Sequence, residues 1–297
     1  MKILCIFYSQ TGQLTKILEN MLSSFKGHDL DVIELQAINP YPFPWTAHSF
    51  FNEMPETVLE KPIALKKINF KHTSYDLVIM GYQPWFLSPS PPVTSLLDDS
   101  NFKSLIKDTD IITVIGARNM WINAQKSIHT KLNNAGAKLI ANIPLIDTNN
   151  NYVSAITILY WMLSGKKKRL LGIFPEPGIP ANEMLKAATA GHIIHEGLQK
   201  KSFESLQQKI VKELQINIPS SILFIEKRAK RIFLIWAKLI HSKKAKTRKA
   251  LIVLFQYYLF FALFIVAPIL LTVYKLIFYP FLFKRIKKEK QKILNIK

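Results

Sequence analysis

Residues 2–8, KILCIFY, are apolar after the first, and at Ser9 the run breaks into Ser-Gln-Thr-Gly. The next segment, 14–26, sets Leu14, Ile17, Leu18, Met21 and Leu22 on one helical face. A continuous apolar run is what a strand covered on both sides requires, whereas recurrence at three and four residues marks one side of a helix. The alternation continues along the chain. A short strand is predicted at 31–36, then two that end at glycine, 76–81 (DLVIMG) and 110–116 (DIITVIG), and a fifth at 138–146, with a last helix at about 181–200. Strands alternating with helices predict an α/β fold, a doubly wound five-stranded parallel sheet with helices on both faces. Ligands of such sheets collect at the carboxyl ends of the strands, where the strand order reverses.

The pattern changes twice. Between the fifth strand and the last helix an insertion at about 147–180 carries VSAITILYWML, then GKKKR, then FPEPGIP. Its first piece is apolar nearly all round and too short to cross a bilayer. It is expected either as an extra packed helix or as a wall beside the site that accepts alkyl chains. The second change is larger. Residues 251–283 form a run whose only charge is Lys275, long enough to cross a hydrocarbon core of about 30 Å.

Charge sharpens this division. The chain of 297 residues carries a net +20, and from Ile222 onward it has eighteen Lys/Arg against two acids. The basic residues stand on both sides of the apolar run: Lys243, Lys244, Lys246, Arg248 and Lys249 before it, Lys284, Arg285, Lys287, Lys288, Lys290 and Lys292 after it. Positive charge favours the cytoplasmic side, so one tilted span strands a cluster on the wrong side, while a hairpin centred on Pro268 keeps both together. Residues 1–200 therefore read as the α/β domain, 201–250 as a basic amphipathic linker, 251–283 as a membrane segment and 284–297 as a basic cytoplasmic tail. In the linker Ile225, Ala229, Ile232, Trp236, Leu239 and Ile240 recur at helical spacing, which suits a helix in the headgroup layer. Basic residues that bracket lipid-compatible sequence do not suggest nucleic acid.

Three loops follow the first, third and fourth strands. In the first, Ser9, Gln10, Thr11, Gly12, Gln13, Leu14 and Thr15 offer backbone N–H groups and hydroxyls at a helix N-terminus, a cradle for a phosphate without a lysine. The second presents Tyr82, Gln83, Pro84, Trp85 and Phe86, stiffened by proline. The third, Gly116, Ala117, Arg118, Asn119, Met120 and Trp121, adds an indole, an amide and a cation. Rings, amides and a positive group suit a flat heterocycle. Cys5, the only cysteine, lies in the first strand and reads as a small buried hydrophobe. His192 and His195 have no spacing that recommends a metal site, and no metal is expected.

On these motifs the segment 1–145 resembles the flavodoxin-like, FMN-binding family, with strand order 2-1-3-4-5. SQTGQLT is similar to that family's phosphate loop, GYQPWF to its isoalloxazine loop, and GARNMW stands in place of the third. Gln13 replaces the usual Asn and Leu14 the usual Thr. The YSQTGQLT start, the Gly-x-x-Pro-Trp loop, GARNMW and a basic apolar C-terminus also resemble the bacterial dialkylresorcinol-biosynthesis family labelled condensing enzymes. The resemblance implies an FMN-dependent oxidoreductase beside a ketosynthase, aromatising a dialkyl-cyclohexanedione drawn from the membrane. Arg118 is expected near the flavin; no residue is singled out as the base, Tyr82 and a carboxylate such as Asp147 being candidates. A homodimer at the cytoplasmic face of the bacterial inner membrane is expected. Alternatives are an NAD(P)H:quinone reductase, a flavodoxin-type electron carrier, and a membrane scaffold with a vestigial pocket.

Overall fold

The computed structural model describes residues 1–296. Its sheet is built from β1 (Lys2–Phe7), β2 (Asp29–Glu34), β3 (Leu77–Tyr82), β4 (Asp110–Ala117) and β5 (Lys138–Ile146), all parallel and in the order β2-β1-β3-β4-β5. This is the flavodoxin-like doubly wound sheet, whose order reverses beside β1.

Alternate residues of each strand feed two cores. Ile3, Cys5, Phe7, Ile79, Ile112 and Val114 face α1 (Gln13–Leu22) and two later helices, α8 (Ala181–Gln199) and α9 (Leu206–Glu213). Leu4, Ile6, Val78, Met80, Tyr82, Ile111 and Ile115 face α4 (Pro91–Asp98), α5 (Ser100–Ile106) and α6 (Ile122–Asn134). The helix α8 approaches α1 so closely that a Cβ on Gly191 would sit 2.2 Å from the Met21 carbonyl oxygen, so no larger residue fits there.

The excursion from β2 to β3 holds two short helices, α2 (Ala47–Asn52) and α3 (Met54–Val58), and the insertion holds α7 (Asn151–Ser164). The stretch 201–250 is not a linker. Leu206, Ile210 and Leu214 of α9 join the first core. In α10 (Ser220–His241) the residues turned inward are Phe233, Ala237 and Ile240, packed on Phe51, Met54 and Val58 of α2 and α3. Ile232 and Leu239, expected in the buried stripe, are exposed instead. The stripe one step round the helix meets protein, which decides the orientation.

The final helix, α11, runs unbroken over Ala245–Leu294, and among the described residues it is the one helix long and apolar enough to cross a membrane. Pro268 therefore does not centre a hairpin. Proline lacks the amide hydrogen and crowds the carbonyl four residues before it, and here a π-helical turn precedes each proline, Ala262–Val266 before Pro268 and Tyr274–Phe278 before Pro280. The widened turn absorbs the clash and the helix continues.

Candidate functional site

The first loop reaches α1 through Gly12, the N-cap residue, at φ +72°. No side chain caps this end, so the leading N–H groups of α1 face outward as a positive pole. Only the Thr15 N–H has a partner nearby, the Ser9 hydroxyl at 3.4 Å. Ser9, Thr11 and Thr15 are partly exposed. Gln10 is already held: its amide accepts from the Tyr8 hydroxyl and donates to the Pro42 carbonyl.

Two members of this loop do not serve as expected. The Leu14 side chain is buried in the first core beside Leu18 and over Gly81 of β3, so only its backbone is free for a ligand. Gln13 brackets Ile179: its Nε2 donates to the Ile179 carbonyl (2.9 Å) and its Oε1 accepts from the Ile179 N–H (3.1 Å). The longer side chain, in place of Asn, ties the insertion down over the loop. Gly178 makes room for it, at φ +86°, where a Cβ would lie 2.7 Å from the Gln13 Oε1 and 2.8 Å from the Trp161 ring.

The second loop turns back on itself as a two-residue ribbon, Pro84–Trp85 against Ser88–Pro89. Phe86 and Leu87 form its tip at φ +45° and +62°, a left-handed pair suited to a tight hairpin but strained for side chains of this size. Trp85 lies in an aromatic cluster with Tyr8, Tyr41 and Trp45, at ring centroids 6.1, 4.9 and 5.5 Å away. Phe86 lies 4.9 Å from Phe50. The sequence reading missed Tyr41, Trp45, Phe50 and Phe51. Their signal was present: YPFPW at 41–45 has the same proline and aromatic makeup as the second loop.

The third loop holds the insertion in place. Arg118 Nη1 donates to the Asn151 backbone carbonyl (2.8 Å) and Oδ1 (3.0 Å), and Asn119 Nδ2 donates to the same Oδ1 (2.7 Å), so both fix the start of α7. Burial lowers the Arg118 guanidinium to about 10, which leaves it charged at neutral pH. Gly116 and Ala117 are strand residues at the end of β4.

Three expectations fail. Tyr82 is fully buried, its hydroxyl donating to Gln125 Oε1 (2.7 Å) on α6, and burial pushes it well above the usual tyrosine range. It faces the second core and cannot act as a base. Asp147 is also buried and engaged, its oxygens accepting from the Ser154 hydroxyl (2.6 Å) and from Asn149. Trp121 is buried and lines a separate cavity of about 170 Å³ with Pro144, Ile146 and Ile216, so it does not face Trp85 across one slot.

An unexpected feature lies between the loops and α11. An apolar cavity of about 320 Å³ is bounded by Pro84, Phe86 and Arg118 at one end, by Ala155, Ile158 and Leu159 of α7, and by α10. Its far wall is α11 from Tyr258 to Leu270. The charged groups on its lining are two arginines, Arg118 and Arg228, with no carboxylate among the described residues. Arg228 is occupied, lying 3.6 Å over the Phe224 ring.

The residues present fit the FMN that the resemblance implies. Buried polar atoms with no protein partner stand in both ring-side loops, a donor at Gln83 Nε2 and an acceptor at Asn119 Oδ1, with a further donor at Trp45 Nε1. Unpaired buried groups are costly, and a pyrimidine edge presents acceptors and a donor that match them. The uncapped α1 N-terminus suits the phosphate.

No family model matches the chain, and no curated protein matches it in sequence. Among solved structures, a flavoprotein from Lactobacillus acidophilus in complex with FMN is similar over 48% of this chain and 92% of its own, at 18% identity and a TM-score of 0.41. The flavodoxin, WrbA-like protein from Agrobacterium tumefaciens is similar over 67% and 98%, at 10% identity and 0.37. A flavone reductase is similar over 68% and 64%, at 12% identity and 0.38. These scores lie below 0.5, and the chemistry rests on the residues of the loops themselves.

Proposed function

We propose that this chain is a membrane-attached, FMN-dependent oxidoreductase acting on lipophilic ring substrates. The observation that carries the reading is the apolar cavity, which runs from the ring-side loops to the long apolar helix. An electron carrier needs no such chamber, since its flavin only has to approach a partner's surface. Arg118 on largely apolar walls suits an acidic oxygenated ring bearing alkyl chains: it remains charged, and with only its Nη1 engaged by Asn151 it has donors left to hold an enolate oxygen.

Within that class the sequence resemblance points to aromatisation of a dialkyl-cyclohexanedione, in which the ring gives up a hydride and a proton. Bound FMN supplies the two-electron acceptor. Ser9, Thr11 and Thr15 with the α1 N–H groups would hold its phosphate, Gln83 and Asn119 would meet its ring edge, and Trp85 and Phe86 would supply the aromatic wall. The upstream ring-building step falls to a ketosynthase, and the site faces the cytoplasm.

The test begins with the absorbance spectrum of detergent-extracted protein, which is expected to show bound flavin. Anaerobic addition of a dialkyl-cyclohexanedione should then bleach the flavin and yield one resorcinol per flavin without pyridine nucleotide. A colourless protein that refuses added FMN overturns the flavin reading. NADH-driven quinone reduction with no reaction of the dione overturns the substrate and leaves a quinone reductase.

A further inference from the structure

The helix α11 is expected to rise about 1.5 Å per residue, so its 50 residues extend roughly 75 Å, more than twice the thickness of a hydrocarbon core. Yet it never leaves the domain. Near its start, Arg248 makes a two-pronged pair with Glu56 (2.7 Å from each of Nη1 and Nη2) and donates to the Asn52 carbonyl (3.0 Å). Phe255 is fully buried among Phe51, Phe233 and Trp236. In the middle, Tyr274 stacks on Phe224 at 4.0 Å between centroids.

The far end also touches the domain, through fewer and more exposed contacts. Glu289 pairs with Lys227, and Ile293 and Leu294 pack against the second core. The Leu294 carbonyl accepts from Gln207 Nε2 at 2.7 Å, and Gln207 Oε1 in turn accepts from the Asn142 N–H of β5 at 2.8 Å. One helix is thus fastened at both ends to one folded domain.

Its outer side is free and greasy. In the most apolar stretch only 17% of the helix is buried. Val253, Tyr257, Phe261, Ile265, Ile269 and Val273 follow one another at steps of four, all exposed, and the series continues to Ile277 and Phe281. On a regular α-helix a four-residue step drifts about 40° each time and the stripe would wind round the barrel. The two π turns each take up an extra residue and offset part of this drift.

We infer that α11 lies in the plane of one leaflet of an anionic phospholipid membrane, docked on the domain at both ends, and crosses nothing. This uses the membrane attachment proposed above but not the flavin. A crossing would carry the Leu294 end, and with it Gln207 and the edge of the sheet, to the opposite side. An in-plane helix leaves both basic clusters in the headgroups, which removes the conflict that the flanking charges pose for a span. A second copy is a poorer occupant. Both ends of the stripe are basic, so either orientation of a partner helix sets like charge against like, whereas an anionic leaflet neutralises both. Lying there, α11 is also the partition between the lipid and the cavity behind Tyr258–Leu270.

The full-length protein is well suited to the test, because its one cysteine, Cys5, is fully buried with its thiol pushed up to about 12 and stays silent to labelling. Lys246→Cys and Lys288→Cys, both at exposed positions flanking the stripe, are introduced separately and expressed in cells. An impermeant maleimide should label both in inverted vesicles and neither in spheroplasts. Labelling of the two positions from opposite sides overturns the proposal. Flotation of purified protein with phosphatidylcholine vesicles, with and without phosphatidylglycerol, reads the charge. Lys284→Gln, Lys287→Gln and Lys288→Gln combined should lower partitioning to the mixed vesicles on the order of a hundredfold, at about 1 kcal/mol per lysine. Equal binding to both vesicle types, or a soluble dimer that ignores vesicles, overturns it. Loss of flavin without change in labelling would count against the redox reading alone.

Discussion

The two ends of the candidate site differ in who builds them. The phosphate end is local: seven consecutive residues, one uncapped helix start, and two long-range ties, from Gln10 to Pro42 and from Gln13 to Ile179. The ring end is assembled from six distant segments: α2, the Phe86 hairpin, the Arg118 loop, α7, α10 and α11. A loop of the first kind sets which cofactor can bind, and its chemistry is shared by any protein that must hold a phosphate monoester. A chamber of the second kind sets what the cofactor meets. The particular function of this chain is therefore concentrated in the part that its linear motifs do not describe.

The contrast is broken most severely by Thr11→Trp. Thr11 is partly exposed on the loop surface, so the indole fits without disturbing the fold and occupies the place proposed for the phosphate. Flavin content after extraction should fall to near nothing, while the melting temperature of the colourless protein stays near that of wild-type protein stripped of flavin. Full flavin occupancy in this variant would move the phosphate elsewhere. At the other end, Ala262→Trp fills the cavity from the side of α11. FMN content should be unchanged, and kcat/KM for a long-chain dione should drop on the order of a hundredfold, the scale of a substrate displaced by about an ångström. A short-chain analogue should lose much less.

This division explains how much was legible beforehand. The five strands follow from apolar runs flanked by turn residues, and the observed bounds of β5 coincide with the predicted ones. The placing of three loops at the sheet's carboxyl edge follows from that periodicity, whereas the strand order was implied only by the resemblance of the loop motifs. Side-chain direction did not. Tyr82 reads as a loop residue, but it is the last residue of β3, and strand alternation sends its ring into the second core with Val78 and Met80. Trp121 fails similarly: it is the residue that caps α6 and is drawn inward. In α10 the sequence offers two adjacent apolar stripes, and only the tertiary neighbours choose between them. The apolar chamber has no local signal because each wall supplies two or three residues of ordinary hydrophobic type.

A smaller effect probes how the chamber wall is fastened to the third loop. Glu226 on α10 is almost fully buried, its Oε1 accepting from the Asn123 N–H (2.7 Å) at the start of α6. Burial raises its carboxyl from 4.5 to about 7, against the opposing pull of the Asn123 and Ile122 N–H groups. A carboxyl with a raised folded pKa favours the folded state fully below 4.5, where it is protonated in both states. That advantage is lost as pH rises towards and through 7, because the unfolded chain ionises first. Glu226→Gln should leave the melting temperature at pH 4 unchanged, flatten its decline between pH 4.5 and 7, and stabilise the protein at pH 8 by about 2–3 kcal/mol. A decline that survives the substitution would assign the pH dependence to another group.

The smallest effect sharpens the phosphate end. Gln13→Ala removes both bonds to Ile179 and leaves that residue's N–H and carbonyl to find water, at a cost of about 1–2 kcal/mol. Since the tie joins the insertion to the loop and not to the sheet, the loss should appear locally. Hydrogen exchange should speed up over 165–180 and leave β1 and β3 protected, and proteolysis should begin within that stretch. Gln13→Asn is the more telling variant. Its shorter amide reaches one partner at most, so it should behave like Gln13→Ala in exchange but bind FMN at least as tightly, because the loop is relieved of its second duty. Weaker FMN binding in Gln13→Asn than in wild type would show that the cover over the loop, not the loop alone, makes the cofactor site.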